Sequence, residues 1–194
     1  MKNTVKKVFC RLDYRRVCYT LYVNPESLKK KNILYQNFTD ELEQMAITDQ
    51  TVMSGGADAD SLLKNTERLK EIITEIGFPT RTTVGSAGAE NAWLIAQHAD
   101  HDPEFQMHCL ILMKQTPPDE IERQNIAYLE DRVRVNQGKP QLYGTQFVQE
   151  NNTQAPQPIE DIENVDARRS EMGMGPLEDY VELMNARNSP KEET

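Results

Sequence analysis

The sequence predicts a single, mainly α-helical domain with a small β-hairpin. Three observations predict this fold class. Apolar residues recur at helical spacing through most of the chain, glycine and proline stand where these segments end, and one segment near residue 140 changes to period-two spacing. The chain has 194 residues, which is enough for one domain with a core and short for two. We expect a basic N-terminal extension at 1–37, a helical domain at 38–184 and a polar tail at 185–194.

Charge is distributed unevenly along the chain. The formal net charge is −9, yet residues 1–31 contain nine Lys or Arg against two acidic residues and carry +7, so the remainder carries −16. An acidic domain disfavours contact with phosphate backbones, and no nucleic-acid partner is expected for the main domain. The basic extension fits a membrane-surface or nucleic-acid arm less well than a segment that packs on the body or is partly disordered.

Cysteine usage and hydropathy indicate a soluble, cytoplasmic protein. The three cysteines, Cys10, Cys18 and Cys109, are odd in number and lack CxxC spacing, as is typical of reduced thiols. No apolar run approaches the roughly 18 residues that cross a bilayer, so no membrane partner is expected. Protein partners are left open.

The first predicted helix begins near Thr39 and Asp40, an N-cap pair. Asp49 lies on the face of this helix that carries its apolar residues, where an unpaired carboxylate is costly. We therefore expect Asp49 to be a buried partner or part of a site. The apolar residues of this face are Leu42, Met45, Ala46, Val52 and Met53.

A second helix is predicted after the flexible loop at 54–60 and ends at Gly77, with Pro79 beyond it. Its apolar residues are Leu62, Leu69, Ile72, Ile73 and Ile76. Residues 80–88 contain two glycines and are predicted to form a polar loop. Their spacing matches no phosphate-binding motif, and no phosphate role is assigned.

The segment LIAQHADHDPEFQMH, residues 94–108, contains all three histidines of the chain. Pro103 cannot continue the first helix, and Asp102 is predicted to cap the next one. The segment is therefore a helix corner, and the ligand spacing of an HExxH helix does not apply across it.

A further helix is predicted at 121–132. Arg132 continues its apolar face and needs an acidic partner, for which Asp49 is the natural candidate. Residues 133–147 are predicted to form the β-hairpin. A linker-like loop at 148–158 and two short helices follow, the first ended by Gly173 and the second opened by Pro176.

Three blocks resemble, in this order, an uncharacterised bacterial family of domains of unknown function: GFPTRTTVGSAGAENAWLIAQHADHDPEFQ, AYLEDRVRVNQGKPQLYGTQF and PIEDIENVDARRSEMGMGPLEDY. With LEQMAITDQTV, the resemblance runs from about Leu42 to Tyr180. It implies no reaction. It implies as motif residues Asp49, Gln50, Gly77, Pro79, Trp93, Gln97, His98, Asp100, Gln106, Asp131, Arg132, Asn136, Gly138, Gln141, Tyr143, Gly144, Thr145 and Gln146. The chain departs from the family pattern at Phe78, where Trp is usual, and at Met53, where Arg is usual.

The favoured interpretation is a pocket for a small polar ligand, formed by the 98–106 corner and the 132–146 hairpin. Amide, phenol and guanidinium groups suit a nucleotide, a sugar or a peptide terminus. His98 would be the general base, with Asp100 or Asp131 orienting it. The candidate ligand-binding residues are Asp49, Gln50, Gln97, Gln106, Asp131, Arg132, Asn136, Gln141, Tyr143, Thr145 and Gln146.

Three alternatives remain. One is a metal-dependent hydrolase using His98, His101 and Asp102, with Asp131 as a further donor, although no residue is assigned as a metal ligand and no cofactor is identified. A Cys109 nucleophile is weaker, since that residue lies among apolar neighbours. The third is a structural or protein-interaction module in which these polar side chains only lock the hairpin to the helices. Whether the protein is an enzyme stays open.

Overall fold

The computed structural model describes residues 25–56, 60–150 and 153–188. Residues 1–24, most of the predicted basic extension, lie outside the described residues. The described chain is mainly α-helical with one β-hairpin, which confirms the predicted fold class. The helices are α1 (Pro25–Met53), α2 (Asp60–Ile76), α3 (Arg81–Gln97), α4 (Pro103–Gln115), α5 (Arg123–Asn136), α6 (Val165–Glu171) and α7 (Leu177–Asn188), with a 3-10 turn at Ile162–Asn164 before α6. Among the described residues, no helix has the length and apolar character needed to span a bilayer.

The core is one cluster of buried apolar side chains from α1, α2, α3, α4 and α5, and α3 contacts the other four helices. Each of these five helices contributes at least one fully buried apolar side chain: Leu42, Leu69, Ile72, Ile95, Met113 and Leu129. Burying a side chain of this size stabilises the fold by about 1.5–3 kcal/mol. The candidate site is therefore held on a packed helical frame.

Helices α1 and α3 run parallel to each other. Near one end, the Thr39 hydroxyl donates to the Val84 carbonyl at 3.1 Å. Further along both helices, Asp49 hydrogen-bonds His98, the residue that follows α3. Residues 39–49 of α1 therefore lie beside residues 84–98 in the same chain direction.

Helix α1 begins at Pro25, so the predicted start near Thr39 and Asp40 is wrong. Proline suits the first helical position because its missing N–H would be unpaired there, and Glu26 lies in the first turn. Residues 26–33 are all exposed. A helical segment that is exposed on all sides needs no apolar face. Residues 26–33 therefore lack the apolar periodicity by which a buried helix is recognised in sequence.

Residues 81–88 belong to α3 and are not the predicted loop. Thr80 and Thr83 form a capping box at its start, with the Thr80 amide donating to the Thr83 hydroxyl at 2.8 Å. Gly85 has a φ of 75° and kinks the helix. The polar cap and the glycine made the segment loop-like in sequence although it is helical.

The β-hairpin lies further along the chain than predicted. Strands β1 (Phe147–Glu150) and β2 (Thr153–Pro156) pair antiparallel, with Phe147 opposite Pro156. Residues 133–136 are instead the last turn of α5. The predicted linker at 148–158 thus contains most of the hairpin, whose two short strands lack the apolar alternation of a buried sheet.

Other predicted boundaries are confirmed. The Asp102 carboxylate accepts from the Phe105 amide at 3.0 Å and caps α4. Gly77, with a φ of 76°, follows α2. Helices α6 and α7 lie on either side of Gly173 and Pro176 as expected, and α7 continues to Asn188, into the residues predicted to be a tail.

Candidate functional site

The Asp49 carboxylate and the His98 imidazole form a hydrogen-bonded pair between α1 and the end of α3. Asp49 Oδ2 contacts His98 Nδ1, and the two side chains are 1% and 14% exposed. An ionised carboxylate only accepts, so the contact is a hydrogen bond in the tautomer that carries its proton on Nδ1. In the neutral ring, Nε2 is then an acceptor. It has no hydrogen-bond partner among the described residues.

The predicted pairing of Asp49 with Arg132 is wrong, as is the prediction that Asp100 or Asp131 orients His98. Asp49 faces His98 because the parallel α1 and α3 place them at the same level. Arg132 lies on α5 and pairs with Asp100. Helical periodicity placed Asp49 on the buried face correctly, but it cannot identify which helix faces it.

An open cleft of about 800 Å³ lies along α1 and α3. The α1 side and the turn after it contribute Thr39, Glu43, Ala46, Ile47, Gln50, Thr51, Ser54 and Gly56, and the α3 side contributes Ala87, Gly88, Asn91 and Leu94. The helical spacing of Ala87, Asn91 and Leu94 continues to His98, four residues after Leu94. His98 therefore follows this row on the same face, one turn beyond Leu94, although it is not itself among the residues that line the cleft.

The cleft offers a small set of free polar groups. Among its lining residues, the hydroxyls of Thr39, Thr51 and Ser54 donate to carbonyls of α1 or α3. The side-chain amides of Gln50 and Asn91 have no hydrogen bond among the described residues. Asn91 lies in a segment that was predicted to be helical, but the sequence gives no signal that its side chain lines a cleft between two helices.

Asp100 is the centre of a polar network at the corner between α3 and α4. Its carboxylate accepts from two guanidinium nitrogens of Arg132, with Nε at 2.9 Å, and from the amides of Asn136 and Gln106, both at 3.0 Å. Partial burial alone would raise the pKa of Asp100, but the bonds from Arg132 and Asn136 hold it below its usual value. This network ties α5 to the corner and leaves the carboxylate few free acceptor positions.

Asp131 organises the loop at 141–146. Its buried carboxylate accepts from the amides of Leu142, Tyr143 and Thr145 and from the Thr145 hydroxyl, at 2.6–3.2 Å. Burial raises the pKa of Asp131, in opposition to these hydrogen bonds. Gln141, also fully buried, donates to the Gln146 and Gln157 carbonyls at 2.9 and 2.8 Å. The side chains of Asp131, Gln141 and Thr145 are thus engaged in holding the loop.

The remaining candidate residues are divided between different surroundings. Gln146 accepts from Arg132 at 3.4 Å, so it joins the corner network. Gln97 is 6% exposed, and its Oε1 has no hydrogen-bond partner among the described residues. The Tyr143 hydroxyl faces Glu130 in a second cavity, separate from the cleft. The structure therefore brings together only part of the predicted set.

The donors proposed for a metal site are separated. His101 is exposed, and the Asp102 carboxylate is used by the Phe105 amide and by Lys70 at 2.7 Å. Within the described ranges, no three His, Cys, Asp or Glu side chains are grouped as metal ligands. Cys109 is fully buried, and this burial raises the pKa of its thiol, which disfavours the nucleophilic thiolate.

Arg169 holds the loop from its other side and was not selected from the sequence. It is 2% exposed and donates to the Tyr143 carbonyl at 2.6 Å and to the Gly175 carbonyl at 2.7 Å. Its guanidinium also lies 5.3 Å from the centre of the Tyr180 ring. An arginine in a short polar helix gives no sequence signal that it will be buried.

Comparison with known proteins gives one family. A model described as Family of unknown function (DUF6624) matches residues 29–191. The match includes all three blocks of the sequence resemblance and extends beyond both of its ends. No curated protein and no solved structure matches the chain.

Proposed function

The chain belongs to this family of unknown function, and we propose that it binds a small polar ligand in the α1–α3 cleft, where Nε2 of His98 contacts the ligand. One observation carries the proposal. The buried Asp49 holds Nδ1 of His98, whose ring lies one turn beyond Leu94, the last residue of α3 that lines the cleft. With Nδ1 bonded to Asp49, Nε2 is the ring nitrogen that is free to bond a ligand.

The cleft is a better ligand position than the corner and loop favoured from sequence. At the corner, Asp100, Arg132, Gln106 and Asn136 hydrogen-bond one another. A ligand there would have to displace bonds already formed. In the cleft, Gln50 and Asn91 are free to bond a ligand without that loss.

The lining residues favour a neutral ligand. Glu43 is the only charged residue among them, and no Lys or Arg is present in that set. A phosphate-bearing ligand would find no cation there. Amide and imidazole groups beside Ala46, Ile47 and Leu94 suit a ligand with hydroxyl or amide groups on one side and an apolar surface on the other, such as a sugar or a short neutral peptide.

The same geometry supplies a base. A neutral imidazole whose Nδ1–H is held by a carboxylate accepts a proton at Nε2, and the carboxylate stabilises the imidazolium that forms. His98 can therefore accept a proton from a ligand hydroxyl placed against it. Catalysis would require a second group that polarises the bond to be broken, and the ligand must be identified first.

The proposal is tested by a thermal-shift screen of sugars, neutral peptides and nucleotides against four proteins. These are the parent, Ala87→Trp, which fills the cleft from an exposed position, its neighbour control Ser86→Trp, and His98→Gln. A ligand at about 100 times its Kd stabilises the native state by about 2.7 kcal/mol, which raises the Tm by several degrees. We expect sugars or neutral peptides to stabilise the parent and Ser86→Trp, but not the other two variants.

Two results would overturn the proposal. One is the absence of stabilisation of the parent by any compound in these classes. The other is equal stabilisation of Ala87→Trp and the parent, which would place the ligand outside the cleft. Exposed histidines supply a further control, because His101→Gln and His108→Gln should leave binding unchanged.

A structural role for the pair is the second candidate. The bond between Asp49 and His98 joins the buried face of α1 to the end of α3, which by itself stabilises the packing of the two helices. If this is its whole role, His98→Gln lowers the Tm of the unliganded protein while Ala87→Trp has no effect on any binding measurement. The two candidate functions therefore predict different effects of Ala87→Trp on ligand binding.

A further inference from the structure

A second cavity, of about 380 Å³, lies between α4, α5 and the end of α6. It shares no lining residue with the α1–α3 cleft. Met113, Ile121, Ile126 and Met172 form its apolar part. Its volume is within the range of small-molecule sites, and the two methionine side chains are flexible enough to adapt to an apolar chain.

One wall of the cavity is polar but internally neutralised. Lys114 pairs with Glu130 at 2.6 Å, and the Tyr143 hydroxyl donates to the other Glu130 oxygen at 3.4 Å. Burial and the adjacent Glu130 raise the pKa of Tyr143 to about 12, so the phenol stays protonated at neutral pH. This wall needs no external counterion.

Arg123 is the cation of the cavity that has no carboxylate partner among the described residues. Its guanidinium donates at 3.3 Å to the backbone carbonyl of Glu171, whose exposed side chain also belongs to the cavity lining. It is also the first residue of α5, whose N-cap residue Glu122 makes no side-chain cap and pairs with Arg81 instead. The partial positive charge of the helix start therefore adds to that of Arg123.

We propose that this cavity binds a small aliphatic carboxylic acid, with its carboxylate on Arg123 and its hydrocarbon chain against Met113, Ile126 and Met172. A guanidinium provides paired donors that match a carboxylate. The apolar residues beside Arg123 would contact the hydrocarbon chain of the acid. Charge and apolar surface at one cavity thus specify the two ends of one ligand.

The test uses hexanoate, with 1-hexanol and hexylammonium as probes of the same chain length. The full chain is labelled at the methionine methyl groups, and the Met113 and Met172 signals are followed by NMR during each titration. We expect saturable shifts of these two signals with hexanoate, with at least about tenfold weaker binding of the alcohol and the amine, because a hydrogen bond to a charged group is lost. Shortening the acid should weaken binding by about fourfold per buried methylene.

Arg123→Gln removes the charge, and Arg187→Gln is the matched control, since Arg187 is an exposed arginine on α7 that does not line the cavity. We expect Arg123→Gln to weaken hexanoate binding about tenfold or more and Arg187→Gln to leave it unchanged. The proposal is overturned if hexanoate produces no saturable shift, if 1-hexanol binds as tightly, or if both variants behave alike. Ala87→Trp should leave this binding unchanged, so the result is independent of the α1–α3 cleft.

Discussion

His98 Nδ1 and Asp49 Oδ2 are hydrogen-bonded across the interface between α1 and α3, with the carboxylate 1% exposed. The bond joins residues 49 positions apart in the chain. Because the carboxylate is buried on one helix and the imidazole follows the end of the other, each side chain fixes the position of the other. The partly exposed ring is then left with one free nitrogen.

Replacing Asp49 with Ala should destabilise the protein by about 1–3 kcal/mol, because His98 keeps a buried N–H without an acceptor. Urea unfolding measures this as a lower midpoint with an unchanged m-value. Asp40→Ala, on the exposed part of the same helix, should differ from the parent by no more than about 0.5 kcal/mol. Equal stability of the two variants would show that the buried pair contributes little.

The Asp100–Arg132 pair should make stability depend on acid pH. The folded state holds the pKa of Asp100 below its unfolded value, so the stabilisation is complete above the unfolded pKa of about 3.9 and is lost as the pH falls through the folded value. With a carboxylate that is 46% exposed, we expect about 0.5–1 kcal/mol. Asp100→Asn should remove this part of the acid loss in unfolding titrations below about pH 4. An identical pH profile in the parent and the variant would contradict the assignment.

Thr145→Val should loosen the 141–146 loop. The substitution preserves the shape of the side chain but removes the hydroxyl that donates to the buried Asp131 at 2.9 Å. Losing a bond to a charged group should lower the unfolding free energy by about 1.5–3 kcal/mol. Hydrogen exchange should also accelerate at the Leu142 and Tyr143 amides, which bond the same carboxylate. Thr74→Val, at an exposed position on α2, serves as the control.

Gly144→Ala should disturb the docking of α7. Gly144 has a φ of 70°, and an added Cβ would lie 2.6 Å from Leu177 Cδ1 and 3.0 Å from Ile159 Cδ1. Gly138→Ala is the matched control, since Gly138 has the same φ and no atom within 4 Å of an added Cβ. Both variants incur backbone strain, of about 1 kcal/mol or more. Only Gly144→Ala should show an additional loss of thermal stability, and equal losses would show that Leu177 moves aside at little cost.

The helices and their ends could be predicted from sequence wherever the helical spacing of apolar residues agrees with capping or terminating residues. Gly77 and Asp102 mark such ends, and both predictions are confirmed. Long-range pairing could not be predicted in the same way. The helical spacing of apolar residues places Asp49 and Arg132 on buried or half-buried helix faces. The partner of each side chain depends on how the helices pack, which the local sequence does not determine.

The errors in secondary structure have local causes. The polar, glycine-containing start of α3 is helical because of a capping box at Thr80 and Thr83, a signal that the overall composition obscured. The alternation of valine and arginine at 132–135 resembles a strand, yet it lies in the last turn of α5. The cleft was missed for a different reason, since it forms between α1 and α3 and depends on how these two helices pack.

The position of the proton on the His98 ring decides whether Nε2 is free to accept a proton from a ligand. Nitrogen-15 NMR of labelled histidine distinguishes a protonated ring nitrogen from an unprotonated one, and it is recorded at a pH where the ring is neutral. We expect a proton on Nδ1, held by Asp49, and an unprotonated Nε2. A proton on Nε2 would contradict this assignment, because Nδ1 would then have no proton to donate to the Asp49 carboxylate and Nε2 could not accept one from a ligand.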